Sequence, residues 1–264
     1  MDLAIYDAPD LIAAIWQRLE AVARPPYAQS WGWIENWLSS LDVKPPLTVI
    51  HDDAGDPIAA AFDDMPVLRA PSFPALGLTT SEFRATVERE LATPHVDLET
   101  VRAVEGGYIS TRPAVIRAGL MHARLQAGEL DVESATDAPR AHAFMDELLD
   151  LKGAPDSPTF RRLIDQRAPF GEMQVLRVCA GDETLGCFFN VTWHDHVAYQ
   201  LTAFASASDA DLCHAAAIEH NAAHGFAFYE LHPDDVRLAT GETRHVVLRL
   251  QRRTSQGMFS RLAG

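Results

Sequence analysis

The chain has 264 residues, 47% of them hydrophobic, with 22 basic against 37 acidic side chains and a formal net charge of −15 at pH 7. That length buries one large core or two compact ones, and the acidic excess repels a phosphate backbone. No apolar run approaches the roughly 20 residues that span a bilayer.

The start, MDLAIYDAPDLIAAIW, carries no basic residue ahead of its apolar run, so no secretory leader is expected. Cys179, Cys187 and Cys213 never fall in a CxxC spacing, which argues against a disulfide framework or thiolate zinc site and for a cytoplasmic, reducing location. The dense basic cluster, Arg249 to Arg261, is read as a solvated tail or a strand end rather than a nucleic-acid surface.

Leu11, Ile12, Ile15, Trp16 and Leu19 recur at a helical period until Pro25 and Pro26 stop them. A second helix, SWGWIENWLSSL, follows, and its Trp31, Trp33 and Trp37 are read as core packing rather than a stacking platform. The runs Leu47 to Ile50 and Ile58 to Phe62 flank DDAGD, which predicts a hairpin. Asp52, Asp53 and Asp56 in that loop lack the closing glutamate of a calcium loop. TTSEFRATVERELA predicts a helix capped by Thr80 or Ser81, and TRPAVIRAGLMHARLQAG another, with Thr111 as cap and Gly128 past its end.

A seam falls near residue 130. Leu130 to Val132 predict a strand, and Asp137 with Pro139 opens a helix to about 152, followed by one over 157–168. MQVLRVCAGDETLGCFFNVTWHDHVAYQLTAF then predicts three strands joined by a GDET turn and an HDH turn. DADLCHAAAIEHNAAHG is a helix with Ser208 or Asp209 as cap and Gly225 beyond it. FAFYEL and HVVLRLQRR follow as strands.

The ordered segments DAPRAHAFMDELLDLKG, FRRLIDQRAPFGEMQVLRVCAGDETLGCFFNVTWHDHVAYQLTAF and AAAIEHNAAHGFAFYEL resemble the acyl-CoA N-acyltransferase (GNAT) superfamily. They look closest to its branch of CelD-like and FemAB-like transferases, with Leu176, Arg177, Val178, Gly181, Glu183, Gly186, Tyr199, Ala203 and Phe204 at the matching places. The likeness covers about 139–231, and YAQSWGWIENWLSSL with its hairpin looks like a degenerate first copy. The resemblance implies an α/β (α+β) chain with the GNAT fold in two tandem copies, 1–129 and 130–264.

It further implies an acyltransferase that moves an acyl group from acetyl-CoA or another acyl-CoA to an amine on a small molecule, sugar or amino acid. The pantetheine would pair along Leu201, Thr202, Ala203 and Phe204. The pyrophosphate would lie over the helix start at Asp211 and Leu212. Glu230 is the expected catalytic base, and His232 an expected proton relay with a solvated loop histidine as its plain alternative. Two departures stand out: the turn before the late helix, SASDADLCHA, has no glycine, and HPDDVRLATGE lacks the family's Tyr and Lys. They favour the alternative of a degenerate, non-catalytic GNAT-like protein that binds a ligand or partner.

The remaining candidates are weaker. His220 and His224 share a helix face but lack the metalloprotease order, and Cys213 sits in an apolar run, so neither a metal nor a thiol nucleophile is expected. Tyr199 is read as a core residue. His194 and His196 bracket Asp195 at a hairpin tip expected to point away from the chemistry. The acidic balance argues against nucleic acid, aminoacyl-tRNA included. No membrane contact is expected, and a homodimer is left open.

Overall fold

A computed structural model of the chain describes residues 1–62, 65–73, 83–135 and 137–252. It divides into two compact units, Met1–Leu91 with Arg244–Gly264, and Ala92–Thr243.

The first unit opens with β1 (Asp2–Tyr6), α1 (Pro9–Ala23), α2 (Trp31–Ser39), β2 (Leu47–His51), β3 (Pro57–Ala61) and β4 (Leu68–Arg69). These four strands form an antiparallel sheet in the order β1-β2-β3-β4. Pro9 suits the first turn of α1, where its missing N–H would be unpaired anyway. Ser30 caps α2 by accepting the Trp33 N–H at 3.3 Å. Trp16 is fully buried, stacks on Phe62 at 5.4 Å and donates its indole N–H to the Gln29 carbonyl at 2.8 Å. Trp31, Trp33 and Trp37 are half-buried against the same cluster, as their spacing predicts. In the β2–β3 loop, Asp52 accepts from the N–H groups of Ala54 and Asp56, which is turn chemistry.

Next come β5 (Phe83–Asp97), α3 (Leu98–Ala103), α4 (Gly107–Ser110), α5 (Ala114–Ala127) and β6 (Leu130–Ser134). They lead into α6 (Ala138–Lys152), α7 (Pro158–Arg167), β7 (Met173–Ala180), β8 (Glu183–Trp193) and β9 (His196–Phe204). The chain continues through α8 (Ala210–Ala223), β10 (Phe228–Glu230) and β11 (Gly241–Arg252). The sheet order is β11-β5-β10-β9-β8-β7-β6. Strands β6 to β9 form an antiparallel meander, and β10 pairs parallel to β9. Asp137 caps α6 by accepting the Arg140 N–H at 2.8 Å, and Gly153 ends it in a left-handed conformation.

Helix α8 lies close on the meander, and Gly186 makes this possible. A Cβ there would sit 2.8 Å from Phe204 Cδ1 and 3.0 Å from Cys213 Sγ. The core around it holds Leu176, Val178, Phe188, Ala217 and Ile218. All three cysteines are buried and free, and burial pushes the Cys187 and Cys213 thiols up to about 12.

The order β-α-α-β-β-β occurs twice, as β1-α1-α2-β2-β3-β4 and as β6-α6-α7-β7-β8-β9, each time with its strands adjacent in chain order.

Two expectations are corrected, and a third falls partly on a strand end. The segment assigned to a helix at TTSEFRATVERELA is strand β5 from Phe83 on, while its proposed caps Thr80 and Ser81 lie outside the described residues. Glu, Arg and Ala favour a helix there, but Phe83, Ala85 and Val87 alternate with Arg84, Thr86 and Glu88, and pairing in the sheet overrides propensity. Thr111 ends α4 instead of capping α5, whose cap position is Pro113. The expected tail runs from Arg249 within β11 past residue 252, where it too lies outside the described residues.

Candidate active site

The parallel pair β9–β10 is short. Phe228, Tyr229 and Glu230 lie opposite His196, Val197 and Ala198, and beyond Glu230 the chain leaves the sheet. The rest of β9, Tyr199 to Phe204, keeps only β8 as a strand partner among the described residues. A gap therefore opens in the sheet immediately past Glu230. The β8–β9 register slips at this point: Asn190 faces Tyr199 and Phe189 faces Leu201, which leaves Gln200 as the extra residue of a bulge. A bulge residue is released from the ladder and its backbone groups are re-aimed.

Glu230 stands at the closed end of the gap. Its carboxylate oxygen lies 3.3 Å from His196 Nδ1, and His196 Nε2 lies 3.4 Å from Asp195. The Glu230 carboxylate, with Asp195 adding to it, holds His196 above the usual histidine range, against the opposite pull of partial burial. The HDH turn also anchors β10, because the Asp195 carbonyl accepts the Ala227 N–H at 2.7 Å. His194 takes φ 56°, a left-handed conformation that histidine tolerates better than most residues. The triplet is expected from the sequence to point away from the chemistry, yet His196 lies against Glu230, the expected base. It is the first residue of β9, two positions before Ala198, and so shares a strand face beside Glu230.

The wall of the gap is formed by a 3₁₀ segment, Pro233–Leu238. Asp235 on it accepts the Tyr199 hydroxyl at 2.6 Å, and His214 of α8 has its Nε2 3.9 Å from the same oxygen. Tyr199 is half-buried and bonded rather than a plain core residue, and burial together with Asp235 pushes its phenol upward. His214 is buried, which lowers it to about 4 despite Asp235, so it is neutral. Two buried polar atoms here, His214 Nδ1 and the Tyr229 hydroxyl, have no protein partner. Such orphans cost about 1–3 kcal/mol each when left unpaired, which marks a place for water or ligand.

The other expected positions fall as follows. Leu201, Thr202 and Phe204 are half-buried and Ala203 is buried along β9, and Lys152 Nζ reaches the Thr202 carbonyl at 3.4 Å. Asp211, in the first turn of α8, is paired with Arg237. Leu212 is buried in the side of α8, so its backbone N–H is what a ligand at the helix start would meet. His232 is exposed, and its Nδ1 accepts the Asp234 N–H at 3.3 Å, which caps the 3₁₀ segment. Sequence reasoning missed His196, His214, Asp235 and Arg237. Parallel pairing sets His196 beside Glu230, while His214, Asp235 and Arg237 meet through the fold-back of the 3₁₀ segment on α8 and β9, which no spacing announces.

His220 and His224 stack on each other with ring centroids 4.1 Å apart. Among the described residues no group of three His, Cys, Asp or Glu is placed to hold a metal ion, and no helix is long and apolar enough to cross a membrane.

The acetyltransferase (GNAT) domain family matches residues 112–238. Among solved structures, FemX aligns with a TM-score of 0.55 and 10% identity over 95% of this chain and 96% of its own. A conserved protein of unknown function from Bacteroides thetaiotaomicron VPI-5482 gives 0.52 and 9% over 96% and 100%. A DUF2156 domain from Agrobacterium fabrum has 17% identity with a TM-score of 0.38, covering 56% of this chain, which spans about half (48%) of that one. No curated protein sequence matches the chain. Residues 112–238 thus match the acetyltransferase (GNAT) domain family, and the fold of the chain is similar to that of FemX.

Proposed function

We propose that the gap between β9 and the segment after β10 is an acyl-transfer site, and that it passes an acyl group from an acyl-CoA to an amine on a small molecule, sugar or amino acid. One observation carries this reading: beside a carboxylate–imidazole pair, Tyr199 to Phe204 of β9 has no second strand partner among the described residues. The pantetheine amides pair with that edge at Leu201 to Phe204. The pyrophosphate takes the start of α8 at Asp211 and Leu212, where unpaired N–H groups favour an anion. Arg237, already at Asp211, offsets the carboxylate charge. The amine attacks the thioester carbonyl and its proton passes to the Glu230–His196 pair. The bulged backbone at Gln200 donates to the oxyanion. The thiolate then departs with the electron pair of the broken C–S bond. His232 is the residue nearest in sequence to carry the proton out to solvent.

We read the two β-α-α-β-β-β runs as tandem copies, 1–129 and 130–264, with the first degenerate. The element order supports this.

The second reading is a non-catalytic GNAT-like binding protein. The Tyr199–Asp235 and Asp211–Arg237 bonds that close the gap favour it, as does the turn without glycine. Thermal unfolding with acetyl-CoA separates the two. Acyl transfer expects stabilisation of about 2.7 kcal/mol at roughly 100 times the dissociation constant. No shift with acetyl-CoA or longer acyl-CoAs would refute it.

A further inference from the structure

A second feature of the Ala92–Thr243 unit shares only Leu212 with that chemistry. A cavity of about 240 Å³ lies between α5, β6 and α8. It has room for roughly eight waters at about 30 Å³ each. Its aliphatic wall is made by Ile109, Leu130, Val132 and Leu212, and the short side chains of Ala215 and Ala216 leave the space open. None of its lining residues belongs to β9, β10 or the 3₁₀ segment.

The polar side of this cavity is one ion pair. Arg124 Nη1 lies 3.1 Å from Glu219 Oε2, with the two side chains 52% and 26% exposed. The other carboxylate oxygen is seated against Gly107, where an added Cβ would come within 3.1 Å of it. His220 also lines the cavity, and burial with His224 nearby lowers it to about 4, so it adds no second cation. A pair this exposed contributes only about 0–1 kcal/mol to folding. Its partners are therefore cheap to redirect toward a ligand that offers both charges.

We propose that this cavity binds a small zwitterion with a short aliphatic body, the chemistry of an apolar α-amino acid. The ligand carboxylate meets Arg124, the ammonium meets Glu219, and the side chain fills the aliphatic wall. The Arg124–Glu219 spacing matches a carboxylate and an ammonium carried on one carbon. The cavity size suits a ligand of leucine's bulk. The site shares with the acyl-transfer reading only Leu212, by its side chain here and its backbone N–H there, and the leucine titration and the acetyl-CoA shift read the two separately.

Calorimetric titration of the full chain with L-leucine tests this. Leucine binds, whereas leucinamide, which lacks the carboxylate, and 4-methylpentanoate, which lacks the ammonium, bind at least about tenfold more weakly. Glu219→Gln weakens leucine by a similar factor and leaves 4-methylpentanoate unchanged, and Arg124→Gln weakens both. The three-ligand series on the unaltered chain decides even where a variant misfolds. Equal affinity for all three ligands, or no binding of leucine, overturns the proposal.

Discussion

The two β-α-α-β-β-β runs build the same layout and bury different things. In the first, the described interior is aromatic and aliphatic: Trp16, Leu19, Ile34, Leu47 and Phe62, with Ser30 and Asn36 as its buried polar residues. In the second unit the interior also takes Arg112, Gln174, Asn190, Thr192, His214 and Asn221. Gln174 bonds both Asn221 and Asn190, so a polar chain runs from α8 through β7 to β8, opposite the bulge of β9. Strand β4 has two residues and ends its sheet, whereas β9 has nine and pairs with β10 only over His196 to Ala198. Buried polar groups are costly unless paired. On the proposed reading, His214 with Asp235 and Tyr199 is the part of this set that lies beside the reaction site.

That contrast can be broken by mutation. Trp16→Ala in the first run should cost about 3–5 kcal/mol of stability in denaturant titration. On the proposed reading that half holds no chemistry, so the pH midpoint of turnover in the folded chain should stay where it was. A moved midpoint would place chemistry in the first run.

Glu230→Gln should reverse the pattern, with turnover reduced about 100-fold or more and the fold retained. It should also move the pH profile. Glu230 raises His196 above its ordinary value of about 6.5. With that carboxylate gone, His196 loses its proton at lower pH, so the rising limb of the rate profile shifts toward acid. An unchanged rate and midpoint would remove the pair from the mechanism.

A smaller effect is expected at Gly186. Replacement by Ala forces a methyl against Phe204, Cys213 and the Ala203 carbonyl, which should cost about 1–3 kcal/mol by chemical denaturation. A neutral result would mean that α8 rides loosely on the meander.

Much of this was legible beforehand because it is local. Asp137 and Pro139 announce α6, Gly181 and the HDH triplet mark the turns of the meander, and alternating branched residues mark β7 to β9. Glu230 was legible as the last residue of a short strand. The partners of Glu230 were not. His196 reads as a turn residue until parallel pairing sets it beside residue 228, and Asp235 meets Tyr199 only through a fold-back of the chain. Strand β5 failed for the same reason in reverse, since its composition favours a helix and its place in the sheet between β11 and β10 makes it a strand.

The central claim is that acyl-CoA lies along the open edge of β9. Amide hydrogen exchange with and without acetyl-CoA tests it most directly. The account predicts slowed exchange at the amides of Leu201 to Phe204 that do not face β8, together with the first turn of α8. Bound acetyl-CoA that leaves those amides unchanged and protects others would contradict it.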